Sequence, residues 1–125
     1  MRPYFCGLGI TALLLLGSSV AYGQQQHRVD VDDNGQVIKA HEHMHAKNGH
    51  KIAWRRASGA SKSWSVTFTD SPCAEGATFG SNGPKICTVK VTCAKAGDAG
   101  CRAYAYVSST SPGAQQHDPD IIIDP

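Results

Sequence analysis

Four cysteines, Cys73, Cys87, Cys93 and Cys101, follow an amino-terminal segment that reads as an export signal. No other feature constrains the fold as much. Residues Met1 to Gly23 carry an early positive charge at Arg2, an apolar run from Leu8 to Leu16 and small residues around Ser19-Val20-Ala21-Tyr22-Gly23, the three parts of a cleaved secretory signal. The apolar run is shorter than the roughly 20 residues that a membrane span needs, so no stable membrane anchor is expected once the signal is removed. Cys6 precedes that run and leaves with the signal. Cleavage after Gly23 gives a mature chain beginning at Gln24, destined for the periplasm or for secretion. An even number of cysteines in such an oxidising setting predicts two disulfides.

Four cysteines allow three pairings, and spacing alone does not choose among them. The seven residues between Cys93 and Cys101, Ala-Lys-Ala-Gly-Asp-Ala-Gly, look like a hairpin loop whose flanking strands bring its ends together. That favours Cys93 with Cys101 and leaves Cys73 with Cys87. A zinc-thiolate site is disfavoured because no Cys-x-x-Cys pair occurs.

Period-two alternation dominates the rest of the chain. Gln24 to Arg28 reads as a polar leader. Val29 and Val31 alternate with polar neighbours, and Asp33-Asn34-Gly35 is a turn signal. Met44 and Ala46, the turn pair Asn48-Gly49, then Ile52 and Trp54 predict two short strands joined by a tight turn. Trp64, Val66 and Phe68 mark one face of a half-buried strand. Asp70 to Lys85, with Pro72, Gly76, Gly80, Gly83 and Pro84, predicts a long irregular connection. Ile86 to Cys93 is β-branched and alternating, Tyr104 and Tyr106 lie on a strand ending at Val107, Ser108 to Pro119 reads as a polar loop, and Ile121-Ile122-Ile123 closes the chain as a β run. About seven strands and no helical period predict an all-β sandwich stabilised by disulfides. The expected organisation is a signal peptide at 1–23, a flexible leader and first turn at 24–36, and one sandwich domain at 37–125.

The order Met44-x-Ala46-x-x-Gly49-x-Lys51-Ile52-x-Trp54, Trp64-x-Val66-x-Phe68, Tyr104-x-Tyr106 and Asp118-Pro119-Asp120-Ile121-Ile122-Ile123-Asp124-Pro125 resembles small secreted bacterial domains of cupredoxin-like fold. The resemblance covers roughly residues 37 to 125. It implies a Greek-key β-sandwich outside the cytoplasm. It does not imply copper, because a type 1 copper site needs a cysteine thiolate, two imidazoles and usually a weak axial thioether. The segment after Tyr106 supplies His117 but no Cys and no Met.

The side chains that could carry chemistry are few. A net charge of +2 with scattered Lys and Arg is not the basic footprint of a nucleic-acid binder. No Gly-x-Ser-x-Gly elbow, phosphate-cradling loop or His-Glu-x-x-His helix is present, and Glu42 and Glu75 are the only glutamates, so no enzymatic activity is expected. Asp30-x-Asp32-x-Asn34-Gly35 matches the first half of a calcium loop, but its twelfth position is His41 where a bidentate Glu belongs; a plain hairpin turn accounts for it. Trp54, Trp64, Phe68, Tyr104 and Tyr106 alternate as core residues do, not as a sugar-stacking platform. The densest candidate is His41-Glu42-His43-Met44-His45, with His50 five residues on. On a strand, His41, His43 and His45 share a solvent face, and two of them, helped by His50 or a neighbouring strand, would suit Cu(II), Zn(II) or Ni(II). The expectation is therefore a non-enzymatic binding or structural module without a type 1 copper site. The alternative is a metal-handling protein that uses His41, His43, His45 and His50 to hold copper or zinc.

Overall fold

The computed structural model describes residues 25–111, 115–116 and 119–125; the expected signal peptide and His117 lie outside the described residues. The elements run β1 Gln26–Val31, a 3-10 turn Lys39–His41, β2 His43–Ala46, β3 Lys51–Arg56, β4 Ser63–Phe68, β5 Thr78–Gly80, β6 Ile86–Thr88, β7 Ala103–Ser111, β8 Gln115–Gln116 and β9 Asp120–Ile123. They form two sheets in a sandwich-like arrangement. One has the order β1-β3-β6, the other β2-β9-β7-β4-β5 with β8 beside β7. β1 with β3 and β2 with β9 are parallel pairs, and the other pairs are antiparallel.

Alternation explains the two layers. Val29 and Val31 of β1, Ile52 and Trp54 of β3 and Cys87 of β6 are buried, as are Trp64, Val66 and Phe68 of β4, Phe79 of β5, Tyr104 and Tyr106 of β7, and Ile121 and Ile123 of β9. Trp54 sits at the centre, with ring centroids 5.0 Å from Phe79, 5.7 Å from Tyr106 and 6.0 Å from Phe68. Offset and edge contacts of this kind add to the burial of such large apolar surfaces. All five aromatic residues assigned to the core are inside, which removes them as a sugar platform.

Several local expectations are corrected. The leader gives way at Gln26 to a six-residue strand paired along its whole length with β3. The two strands around Asn48-Gly49 exist, but they do not pair with each other. Gly49, at φ 90°, carries the chain from one sheet to the other; only glycine adopts that conformation without strain. β5 lies within the supposed irregular connection. The strand expected over Ile86 to Cys93 ends at Thr88, apart from a bridge between Val89 and Cys73. β7 runs on to Ser111 through residues read as a loop, because its inward hydroxyls find acceptors in the 33–35 turn: Ser108 Oγ donates to Gly35 O at 2.7 Å and Thr110 Oγ1 to Asp33 O at 3.3 Å. Buried polar groups are tolerated when bonded in this way.

Both favoured disulfides are present, Cys73–Cys87 with Cα atoms 5.1 Å apart and Cys93–Cys101 at 5.0 Å. No strands flank the second loop. Asp98 organises it instead, its Oδ2 accepting the N–H groups of Ala94 at 2.8 Å and Lys95 at 3.1 Å. Loop side chains also reach the margins of the three-stranded sheet. On β1, Asp30 N–H donates to His41 Nδ1 at 3.0 Å and Asp30 O accepts from Ile38 N–H at 3.0 Å. Beside β6, both Glu75 carboxylate oxygens accept from Thr88, one from N–H and one from Oγ1, each at 2.7 Å.

Candidate functional site

The five histidines among the described residues occupy three places, so the four expected metal ligands are not brought together. His41 is the first correction. Ile38 to Glu42 turns instead of extending, with His41 N–H bonded to Ile38 O at 2.8 Å and Glu42 N–H to Lys39 O at 3.3 Å. This 3-10 turn takes His41 off the strand that carries His43 and His45, and its Nδ1 is committed to Asp30. The three-imidazole row is therefore a row of two.

His43 and His45 behave as a strand predicts. Both project from the exposed face of β2, with Met44 and Ala46 on the side packed against the core. The parallel neighbour β9 and the residue that follows it supply a carboxylate to each ring: Asp120 Oδ1 lies 2.9 Å from His43 Nδ1, and Asp124 Oδ2 lies 2.8 Å from His45 Nδ1. A carboxylate at Nδ1 fixes the tautomer that carries its proton there. The Asp-Pro-Asp-Ile-Ile-Ile-Asp-Pro tail thus provides the partners of the histidine strand, a relation invisible in a linear reading because β2 and β9 are 74 or more residues apart.

His50 has a different partner. Its Nδ1 lies 3.0 Å from His27 Nε2 and also accepts Lys47 N–H at 3.2 Å, and the two imidazole centroids are 5.1 Å apart. His27 belongs to the segment read as a leader, and only the pairing of β1 with β3 would have found it. Burial, and then the neighbouring His50, push the His27 pKa below its usual value.

Other candidates resolve into structure. Asp32 Oδ1 accepts the N–H groups of Asn34 at 2.8 Å and Gln36 at 3.0 Å, the self-bonded turn that aspartate favours, and Asp30 pairs with Arg28 at 2.6 Å. Asp33 holds the N–H groups of Lys62 and Ser61, which keep its carboxyl below the ordinary range. A shallow cleft of about 550 Å³ lies beside the Cys93–Cys101 loop, where the Arg102 guanidinium stacks 4.0 Å over the Tyr104 ring and pairs with Asp70. Among the described residues no three His, Cys, Asp or Glu side chains converge as a metal shell. No helix among them is long and apolar enough to cross a membrane, and the two disulfides fit an oxidising compartment. No family model, curated protein or solved structure matches the chain.

Proposed function

We propose that this chain is a non-enzymatic binding or structural module of the periplasm or the secreted space, a Greek-key sandwich of cupredoxin-like kind without a type 1 copper centre. The observation that carries the reading is the commitment of Cys73, Cys87, Cys93 and Cys101 to two disulfides, which leaves the exported chain without a thiolate for copper. Met44, the thioether nearest the histidines in sequence, is packed against the core. Chemistry-bearing side chains such as His41, Asp33, Glu75 and Ser108 hold turns and strand margins.

The test is spectroscopic. The mature protein loaded with Cu(II) gives no intense band at roughly 600 nm, where copper-thiolate charge transfer falls, and no free thiol alkylates. A strong blue colour overturns the reading.

A second reading, metal handling through surface histidines, is favoured by Asp120 and Asp124, which orient His43 and His45 as carboxylates orient metal-binding imidazoles. Calorimetric titration with Cu(II) and Zn(II), before and after His43→Ala, tests it. Saturable binding abolished by the change supports it; binding that survives unchanged overturns it.

A further inference from the structure

We infer that His27 and His50 form a two-imidazole site for a divalent cation of borderline softness, of the class of Cu(II), Zn(II) and Ni(II). This site is separate from His43 and His45 and does not need the metal-handling reading of that strand. In a tetrahedral or square arrangement with metal–nitrogen distances of about 2.0–2.1 Å, two coordinating nitrogens stand about 2.9–3.4 Å apart. His27 Nε2 and His50 Nδ1 stand 3.0 Å apart. The two nitrogens are already at the spacing a metal imposes, with a proton where the cation would sit.

The exchange of that proton balances. His50 Nδ1 accepts Lys47 N–H, so in the neutral pair its lone pair faces inward and the bridging hydrogen belongs to His27 Nε2. On metal binding His27 moves its ring proton from Nε2 to Nδ1. His27 Nε2 and His50 Nδ1 then each give a lone pair to the cation, and the neutral pair releases no net proton. Binding the cation displaces both contacts of His50 Nδ1, the 3.0 Å one with His27 and the 3.2 Å one from Lys47.

Both rings sit on supports that limit the ordering cost of binding. His27 lies on β1, held to β3 in register from Gln26↔Lys51 to Val31↔Arg56. His50 immediately precedes β3 and shares its inward parity with Ile52 and Trp54. Its backbone is fixed from the other side, because Val89 N–H donates to His50 O at 2.9 Å and Gly49 N–H to Val89 O at 2.9 Å. Asn48 Oδ1 accepts Val91 N–H at 3.1 Å and closes the same turn. Two protein ligands leave further coordination positions for water or for a donor from a partner.

The test uses Zn(II) calorimetry and Cu(II) electron paramagnetic resonance on the mature protein, with His27→Gln, His50→Gln and the double variant His43→Ala/His45→Ala. Circular dichroism of each variant first establishes that it is folded. Zn(II) binds one to one, each single variant weakens it more than about tenfold, as loss of a direct ligand should exceed loss of an outer-shell partner, and the double variant stays within about threefold of the parent. In the parent protein, Zn(II) shifts the ¹⁵N resonances of His27 Nε2 and His50 Nδ1, a readout that stands even if a variant fails to fold. Absence of saturable uptake at millimolar Zn(II) overturns the proposal. So does binding that persists in His27→Gln and disappears in the double variant, which would put the metal on β2.

Discussion

Tyr106 and Trp54 each bury a polar atom, the phenol oxygen and Nε1, that has no hydrogen-bond partner among the described residues. Burial pushes the Tyr106 pKa well above the usual tyrosine range. The nearby indole N–H of Trp54 acts weakly the other way, but the two groups fall short of hydrogen-bond geometry, and it is that geometry which decides whether the hydroxyl is satisfied. Tyr106 is 2% exposed, so the hydroxyl has lost its hydration without replacement, a cost of about 1–3 kcal/mol. Tyr106→Phe removes it. The space left is about 10 Å³, worth about 0.2 kcal/mol at ~24 cal/mol per Å³, and the edge contacts with Trp54 and Phe68 remain. The variant should be more stable than the parent by about 1 kcal/mol. With a urea dependence of about 1–1.5 kcal/mol per M for a domain of this size, the denaturation midpoint rises by about 0.7–1 M. The assay is urea denaturation of both proteins, followed by far-ultraviolet circular dichroism with the disulfides intact. A loss of 1 kcal/mol or more would refute the reasoning, because it would mean that the hydroxyl is bonded, to Trp54 or through a buried water.

Two further outcomes are expected. Closing a loop of sequence separation 8 or 14 contributes about 2.5 and about 3 kcal/mol respectively by chain entropy, so the double change Cys73→Ser/Cys87→Ser should lower thermal stability at least as much as Cys93→Ser/Cys101→Ser, as calorimetry of each variant would show. Glu75 yields an acid signature. Burial raises its pKa, but the N–H and hydroxyl of Thr88 outweigh that and hold it below its ordinary value of 4.5, so the unfolded chain takes the proton first. The stability Glu75 contributes is complete above about 4.5 and is lost as the pH falls through the lower folded value; Glu75→Gln should make the urea midpoint less pH-dependent across that window, and an unchanged profile would contradict the assignment.

What the sequence revealed tracks how local the determining interaction is. Trp64-x-Val66-x-Phe68 and the isoleucine run declare their strands through their own alternation, and the burial of Trp54 and Tyr106 follows from the same period. The cysteine pairing was open among three possibilities, and the loop-like residues between Cys93 and Cys101 pointed to the observed one for a reason that proved only half right, since Asp98 and not a pair of strands closes that loop. The solvated look of Ser108-Ser109-Thr110-Ser111 ends the expected strand at Val107, whereas the inward hydroxyls of Ser108 and Thr110 are satisfied by a turn 73 or more residues away. β1 looked like a leader because only Val29 and Val31 alternate there, and its strength comes from β3. The histidine site was legible as a concentration of imidazoles. Their partition was not, because Asp120, Asp124, His27 and Asp30 reach them only through tertiary pairing.

The hydrogen bonds of His41 and Glu75 along the three-stranded sheet bear on solubility as well as on stability. An uncovered strand margin is a template on which another chain can add a strand, and at high local concentration a protein meets many copies of itself. Here each margin is partly closed by a side chain, His41 Nδ1 taking Asp30 N–H on β1 and Glu75 taking the N–H and hydroxyl of Thr88 on β6. Protonated Glu75 holds Thr88 less firmly. Acid therefore loosens the cover of the β6 side of the sheet, while Cys73–Cys87 keeps β6 tied to the loop beside it. The species so formed is folded and cross-linked, with one strand margin less covered against the addition of another chain.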